Sequence, residues 1–158
     1  MTRLRRFLLV SIFVISGFLG AAPFATADEV TTQACEQKST LAGTHLTDKQ
    51  IAQYARNAGL RGNGLVISIA VALAESQGWT RAVLINTDCS RDRGVWQINS
   101  YWHSEVSDTQ AFNPASAATA TYTISSGGSN WTPWVTYNNG AYQQYLARAR
   151  TAAAAVGG

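Results

Sequence analysis

The residue best suited to chemistry in this sequence is a glutamate that closes a long apolar segment. Between Leu65 and Ala74 every residue except Ser68 is apolar, and Glu75 follows directly. A segment that is apolar on all sides predicts a buried helix, and Gly78 favours a helix end just beyond the glutamate. Burial and the negative end of the helix dipole both raise a carboxyl pKa. Glu75 is therefore the candidate for a general acid.

A structural role for Glu75 is the alternative, because the last charged residue of a core helix often reaches solvent and pairs with a basic neighbour, here Arg81. Asp88 and Asp92 follow in the next segment and are the candidates for a second carboxylate that acts as base or nucleophile. Arginines lie on both sides of these aspartates, so plain surface ion pairs explain the same residues equally well.

A second polar cluster, twenty-two positions after Glu75, combines amide and aromatic side chains. Residues 94–103 contain Gln97, Asn99, two tryptophans and a tyrosine. Aromatic rings stack on the apolar face of a pyranose and amides bond its hydroxyl and acetamido groups, so this composition is typical of a sugar site. A core aromatic cluster is the alternative explanation.

The segments that would position these residues are predicted to be mostly helical. Thr47 and Gln50 form a capping box for a helix that stops at Gly59. Asn113-Pro114 starts another helix, and a last one follows Gly140. Residues 82–85 favour a short strand. We predict a mainly α domain of about five helices with a short irregular or β-like insertion.

The first 27 residues predict a signal peptide. Three arginines precede the apolar run Phe7–Leu19, and Ala25-Thr26-Ala27 is a small-x-small cleavage site. The run is short for a bilayer span, although a retained anchor is the alternative. The remaining chain divides into a polar lead-in, one domain and a flexible tail, at residues 28–43, 44–150 and 151–158.

Removal of the signal peptide makes the chain formally neutral. Three of the twelve Lys and Arg residues lie in it, and none of the nine Asp and Glu residues do. The basic sequence pI is then no argument for a nucleic-acid partner. We expect a secreted monomer with no membrane span after cleavage, which acts outside the cell or at the cell wall.

Cys35 and Cys89 predict a disulfide, because an even number of cysteines in an exported chain favours pairing. The competing hypothesis is a cysteine peptidase, since residues 87–90 resemble the nucleophile motif of cell-wall cysteine peptidases. A thiol nucleophile needs a histidine base. Neither His45 nor His103 stands in the strand context of that family.

Four motifs occur along the chain in a distinctive order. They are Ala74-Glu75-Ser76, Asp92-Arg93-Gly94-Val95-Trp96-Gln97-Ile98-Asn99, Phe112-Asn113-Pro114 and Trp131-Thr132-Pro133-Trp134. In this combination the chain resembles the lysozyme-like superfamily, specifically the transglycosylase domains of soluble lytic transglycosylases and goose-type lysozymes. The resemblance covers residues 44–148.

The resemblance implies a helical lysozyme-like fold with a glycan-binding cleft. It also implies cleavage of the β-1,4 bond between N-acetylmuramic acid and N-acetylglucosamine in peptidoglycan, without a metal or organic cofactor. Glu75 matches the family's catalytic glutamate and Gln97 the glutamine of its Gly-x-x-Gln motif. The residues expected to bind substrate are Ser76, Gln97, Asn99, Trp134, Tyr137 and Tyr142.

The sequence departs from the family pattern at two positions. Asn99 stands where goose-type enzymes tend to have an aspartate, and Trp96 stands where methionine is usual. Asn99 is not a base, so a two-carboxylate hydrolase would depend on Asp88 or Asp92. The alternative is a transglycosylase in which Glu75 acts alone and the sugar's 6-hydroxyl closes a 1,6-anhydro ring.

A module that binds glycan without cleaving it is a further alternative within the same fold. Other hydrolase classes lack sequence support, because the chain contains neither His-Glu-x-x-His nor Gly-x-Ser-x-Gly.

Overall fold

The computed structural model describes residues 34–158, so the predicted signal peptide and the first part of the lead-in lie outside the described residues. The described chain contains six α-helices, one 3₁₀ helix and four short strands. In chain order these are β1 (Lys38–Thr40), α1 (Asp48–Asn57), α2 (Gly62–Ser76), β2 (Val83–Ile85), β3 (Arg91–Arg93), β4 (Ile98–Asn99), α3 (Asp108–Phe112), α4 (Pro114–Ile124), α5 (Val135–Asn138), the 3₁₀ helix Ala141–Tyr145 and α6 (Leu146–Ala154).

The predicted mainly helical fold is confirmed, with α2 as its central element. The helix packs against α1, α5, α6 and the 3₁₀ helix, and its residues from Ser68 to Leu73 are buried throughout. The left-handed position that ends it is Gln77 (φ 54°), one residue before the predicted Gly78. Within the part of the chain that the structure describes, no helix is long and apolar enough to cross a bilayer.

The capping box predicted for α1 is confirmed. The Thr47 hydroxyl accepts the Gln50 N–H at 3.3 Å, and the Gln50 carboxamide oxygen accepts the Thr47 N–H at 2.8 Å. These bonds satisfy two backbone donors that the helix itself leaves free. Ile51, Ala52 and Ala55 then face the core. The predicted start of α4 at Asn113-Pro114 is also confirmed, since the Asn113 side chain accepts the N–H groups of Ala115 and Ser116.

The expected irregular insertion is a four-stranded antiparallel sheet with the order β1-β2-β3-β4. Leu84 pairs with Asp92, and Asp92 pairs with Asn99 across the next strand. The first strand lies in the segment predicted to be a loose lead-in, which is a correction: Lys38 pairs with Ile85. The sequence pattern did not predict this strand because all three of its residues are polar and exposed, and an edge strand can form without an apolar face.

The predicted flexible tail is also corrected, because α6 continues to Ala154. Ala152 and Ala153 are buried, and the helix packs against α1 and α2. An alanine face lets helices approach closely with little loss of side-chain entropy. A salt bridge also joins α6 to α1, since Arg148 of α6 binds both carboxylate oxygens of Asp48 in α1 at 2.7 and 2.9 Å.

The predicted disulfide is confirmed. Cys35 and Cys89 are joined with a Cα–Cα distance of 5.1 Å, and the Cys35 N–H donates to the Thr87 carbonyl at 2.9 Å. The bridge therefore ties the chain ahead of β1 to the turn between β2 and β3. Since the Cys89 sulfur is bonded, it offers no thiolate, and the cysteine-peptidase hypothesis is wrong.

Replacing both cysteines by serine should lower the melting temperature by several degrees. The bridge spans a sequence separation of 54, for which the chain-entropy model gives about 4 kcal/mol as an upper figure. Calorimetry with and without reductant measures the effect, and the double variant, which has no bridge to lose, should be insensitive to reductant. Equal melting of the wild type in both conditions, after reduction has been confirmed, would contradict this prediction.

Candidate functional site

A cleft of about 850 Å³ brings the end of α2 together with the sheet and the start of α5. The residues that line it are mostly polar or aromatic, and none of those in the described part of the chain is lysine or arginine. They are Gln37, Glu75, Leu84, Asn86, Thr87, Asp88, Ser90, Asp92, Gln97, Ile98, Asn99, Trp102, His103, Ile124, Pro133, Trp134, Val135 and Thr136.

Glu75 is half-buried in this cleft, on the last turn of α2. Burial raises its pKa above the ordinary 4.5, since the charged form loses water. The Thr136 hydroxyl donates to its Oε1 at 2.7 Å and opposes this effect, while the negative charge of Asp92 adds to it. The net result is a raised pKa, as a general acid requires.

Asp92 is the second carboxylate whose charge reaches Glu75. It lies in the middle of β3, where Asn99 Nδ2 donates to its Oδ1 at 2.7 Å and Asn86 Nδ2 donates to its Oδ2 at 3.2 Å. Two amides on neighbouring segments thus fix the orientation of the carboxylate. Each oxygen of an ionised carboxylate accepts two bonds, so Asp92 retains acceptor capacity in the cleft.

Asp88 also lines the cleft, but its carboxylate is hydrogen-bonded within the turn between β2 and β3. Its Oδ1 accepts the Ser90 hydroxyl at 2.7 Å and the Ser90 N–H at 2.9 Å. These two bonds lower the pKa of Asp88 because they favour the ionised form. Such a group is unsuited to donate a proton near neutral pH.

The arginines do not pair with these aspartates, contrary to the ion-pair alternative. Arg91 and Arg93 both bind Asp108, each at 2.9 Å, and together they lower the pKa of that carboxyl. The Arg81 guanidinium lies over the Phe112 ring at 5.1 Å rather than beside a carboxylate. The basic groups of this region are therefore directed away from the cleft.

Arg93 instead holds the loop that follows β4. Its guanidinium is only 3% exposed and donates to the carbonyls of Ile98 at 3.1 Å, Val106 at 2.8 Å and His103 at 3.4 Å. A buried charge is tolerated only when it is paired and hydrogen-bonded, and these contacts supply both conditions. The loop from 100 to 107 is thereby fixed beside the cleft.

Gln97 lies in the cleft as expected. Its backbone is left-handed (φ 47°), and its Nε2 donates to the carbonyls of Ala82 at 3.0 Å and Gly94 at 2.9 Å. Its Oε1 accepts no hydrogen bond from the described residues and is available to a ligand. The Gly94 of the same motif is required sterically, since a Cβ there would overlap the Ala111 carbonyl oxygen.

Asn99 lines the cleft, but its amide is already occupied. Its Oδ1 accepts the N–H groups of Tyr101 at 2.8 Å and Trp102 at 3.1 Å, and its Nδ2 donates to Asp92 and to the Ser90 hydroxyl. These bonds give Asn99 a connecting role, and direct substrate binding by its side chain stays a prediction. Asn99 joins a carboxylate of the cleft to the loop beside it.

Ser76, which was expected to bind substrate, is only 1% exposed and is absent from the lining of the cleft. Its hydroxyl donates to the Val95 carbonyl at 2.7 Å and accepts the Gly78 N–H at 3.1 Å. It therefore fixes the end of α2 against the sheet. Trp134 does line the cleft, as a buried wall whose Nε1 donates to the Trp96 carbonyl at 2.8 Å.

Tyr137 and Tyr142 are also absent from the lining. Their rings stack on each other with centroids 4.8 Å apart and pack against the core. In the single turn of α5, Thr136 faces Glu75, and the next residue points in a direction about 100° away. Thr136 therefore lines the cleft where a tyrosine was expected. No motif in the sequence pointed to this threonine.

Comparison with known proteins points to a family. A family model described as a lysozyme-like domain matches residues 52–136, slightly more than half of the chain. The match begins within α1, contains α2 and the strands β2 to β4, and ends at Thr136. No curated protein matches the sequence.

Glu75→Gln should stabilise the fold increasingly as pH rises. The folded chain binds the Glu75 proton more tightly than the unfolded chain, because burial raises the folded pKa above 4.5. Ionisation therefore lowers the free energy of unfolding between about pH 4.5 and the raised pKa, and the loss is complete above that pKa. We expect the melting temperature of the variant minus that of the wild type to grow as pH rises above 4.5 and to level off above the raised pKa of Glu75.

Glu105→Gln is the matched control, since its carboxyl is exposed and hydrogen bonds lower its pKa. Its melting difference should stay flat or change in the opposite direction. A pH-independent difference for Glu75→Gln would contradict the raised pKa.

Proposed function

The chain belongs to the lysozyme-like domain family, and on that premise we propose that it is a secreted enzyme that cleaves peptidoglycan glycan strands. The bond cleaved is the β-1,4 link between N-acetylmuramic acid and N-acetylglucosamine. The observation that carries this proposal is the half-buried carboxyl of Glu75, whose pKa is raised, in a cleft of about 850 Å³. A protonated carboxyl beside a glycosidic oxygen is the acid that this cleavage needs.

In the first step Glu75 donates its proton to the glycosidic oxygen as the bond from that oxygen to the anomeric carbon breaks. Positive charge develops on the sugar ring, and negative charge develops on the Glu75 carboxylate. The Thr136 hydroxyl, 2.7 Å from Oε1, stabilises the carboxylate and holds its direction. Asp92 lines the same cleft, and its negative charge acts on Glu75.

The second step has two routes. In the hydrolytic route Asp92 takes a proton from a water that attacks the anomeric carbon, and a free reducing end results. In the transglycosylase route Glu75 takes the proton of the sugar's own 6-hydroxyl, which closes a 1,6-anhydro ring without water. Asp92 is the better second group than Asp88, because only Asp92 acts on the Glu75 charge.

The remaining lining suits a neutral, hydroxylated ligand. The free Oε1 of Gln97 would accept an acetamido N–H or a hydroxyl, and the Trp134 ring offers an apolar wall. The Cys35–Cys89 bridge is consistent with a compartment outside the cytoplasm, where this substrate lies. Cleavage of residues 1–27 and a monomeric state remain predictions.

Glu75→Gln should lower the rate of peptidoglycan solubilisation at least 10²-fold, the lower end of the contribution of a general acid. Glutamine keeps the shape and still accepts the Thr136 bond, but has no proton to donate. The exposed Glu105→Gln serves as control and should retain wild-type activity. A folded Glu75→Gln protein that solubilises the wall at the wild-type rate would contradict the role of Glu75 as the acid, whereas a wild type that binds glycan without solubilising it would be a glycan-binding module.

Asp88→Asn and Asp92→Asn should separate the two routes when the muropeptide ends are analysed by mass spectrometry. If Asp92→Asn costs as much as Glu75→Gln and the wild type leaves free reducing ends, the hydrolytic route holds. If neither asparagine variant costs more than about tenfold, or 1.4 kcal/mol, 1,6-anhydro ends should dominate. Asp88→Asn should cost less than Asp92→Asn in either case.

A further inference from the structure

Trp102 and Val135 are the two most exposed large hydrophobic side chains among the described residues, at 73% and 71%. Both line the cleft, although they come from the loop after β4 and from the start of α5. A single exposed apolar residue needs no explanation, but two that open into the same polar cleft form a surface that a ligand would cover.

The backbone that carries Trp102 is held by hydrogen bonds, and one aromatic ring contacts its indole. Asn99 Oδ1 accepts its backbone N–H at 3.1 Å, and Arg93 binds the carbonyl of the next residue, His103, at 3.4 Å. The Tyr101 ring meets the indole edge-on, with centroids 4.9 Å apart and an angle of 87°. Because the backbone is already ordered and a tryptophan has only two side-chain torsions, the entropy cost of ordering this ring on a ligand is small.

The neighbouring Tyr101 shows that exposure alone does not place a ring in the cleft. It is 67% exposed, on the same loop and in contact with Trp102, yet it is not among the lining residues. The two adjacent aromatic residues therefore provide one ring for the cleft and one that supports it from outside.

The polar surroundings of Trp102 select among ligands. The cleft contains the carboxylates of Asp88 and Asp92, and no lysine or arginine among its described lining residues. Phosphates and other anions would be repelled there, since no cation balances their charge. A pyranose offers an apolar face to the indole and uncharged hydroxyl and acetamido groups to the acceptors.

We propose that Trp102 is a stacking platform for an uncharged N-acetylated pyranose of the bound glycan strand. The platform sets affinity for the strand and takes no part in bond cleavage. This inference rests on the proposed function, because the sugar is assigned to the same cleft as Glu75.

Calorimetric titration with the hexamer of N-acetylglucosamine tests the platform in the full chain carrying Glu75→Gln, which prevents turnover. Adding Trp102→Ala should weaken binding about tenfold, which corresponds to about 1.4 kcal/mol. Trp102→Phe should recover part of the loss because a smaller ring still stacks. Tyr122→Ala, which removes an exposed aromatic ring that neither lines the cleft nor contacts Trp102, should change affinity less than about threefold.

Kinetics of the single variant Trp102→Ala, which keeps the active Glu75, should separate an effect on glycan binding from an effect on bond cleavage. Trp102→Ala should raise KM for soluble glycan strands while kcat at saturation stays within about twofold, because uniform binding is lost. A fall in kcat with unchanged KM would overturn the platform role.

Other outcomes separate this inference from the proposed function. If the Glu75→Gln chain binds neither the hexamer nor glycan strands freed of their stem peptides, the proposed function itself fails. If it binds them and Trp102→Ala binds equally well, only the platform is overturned. Sedimentation would reveal a second copy as the occupant: a dimer that Trp102→Ala converts to monomer would also overturn it.

Discussion

The buried indole of Trp96 ties the central helix to both sides of the cleft. Its Nε1 donates to the hydroxyl and carbonyl of Ser68 at 3.0 and 3.1 Å, and its own carbonyl accepts Trp134 Nε1 at 2.8 Å. An indole N–H without a partner in such a core would cost about 1–3 kcal/mol. Because α5 begins directly after Trp134, this bond also sets the distance from which Thr136 reaches Glu75.

The sequence contains local signals for the helix, its glutamate and its caps, and these were sufficient to predict them. Ser68 is the one polar residue of the apolar run, and Trp96 stands where the family usually has methionine. The two residues are hydrogen-bonded to each other, so the serine provides the acceptor that the buried indole N–H needs. The partner of Glu75 was not predictable in this way. Which side of the short α5 faces α2 depends on tertiary packing, so Thr136 carries no signal of its own.

Strand periodicity explains why the ion-pair alternative for Asp92 does not hold. Successive side chains of a strand point to opposite faces, so Asp92 is directed away from the two arginines beside it in sequence. Arg91 and Arg93 share a face and meet Asp108, whereas Asp92 meets Asn86 and the cleft. The alternation was available from sequence, but a three-residue strand is too short to be recognised by its pattern.

The Cys35–Cys89 bridge links one wall of the cleft to the redox conditions around the protein. The turn that carries Cys89 also supplies Thr87, Asp88 and Ser90 to the lining. Where thiols are kept reduced, this wall has hydrogen bonds but no covalent tie. Only an oxidising compartment adds the covalent tie, so this wall of the cleft depends on the redox state of its surroundings.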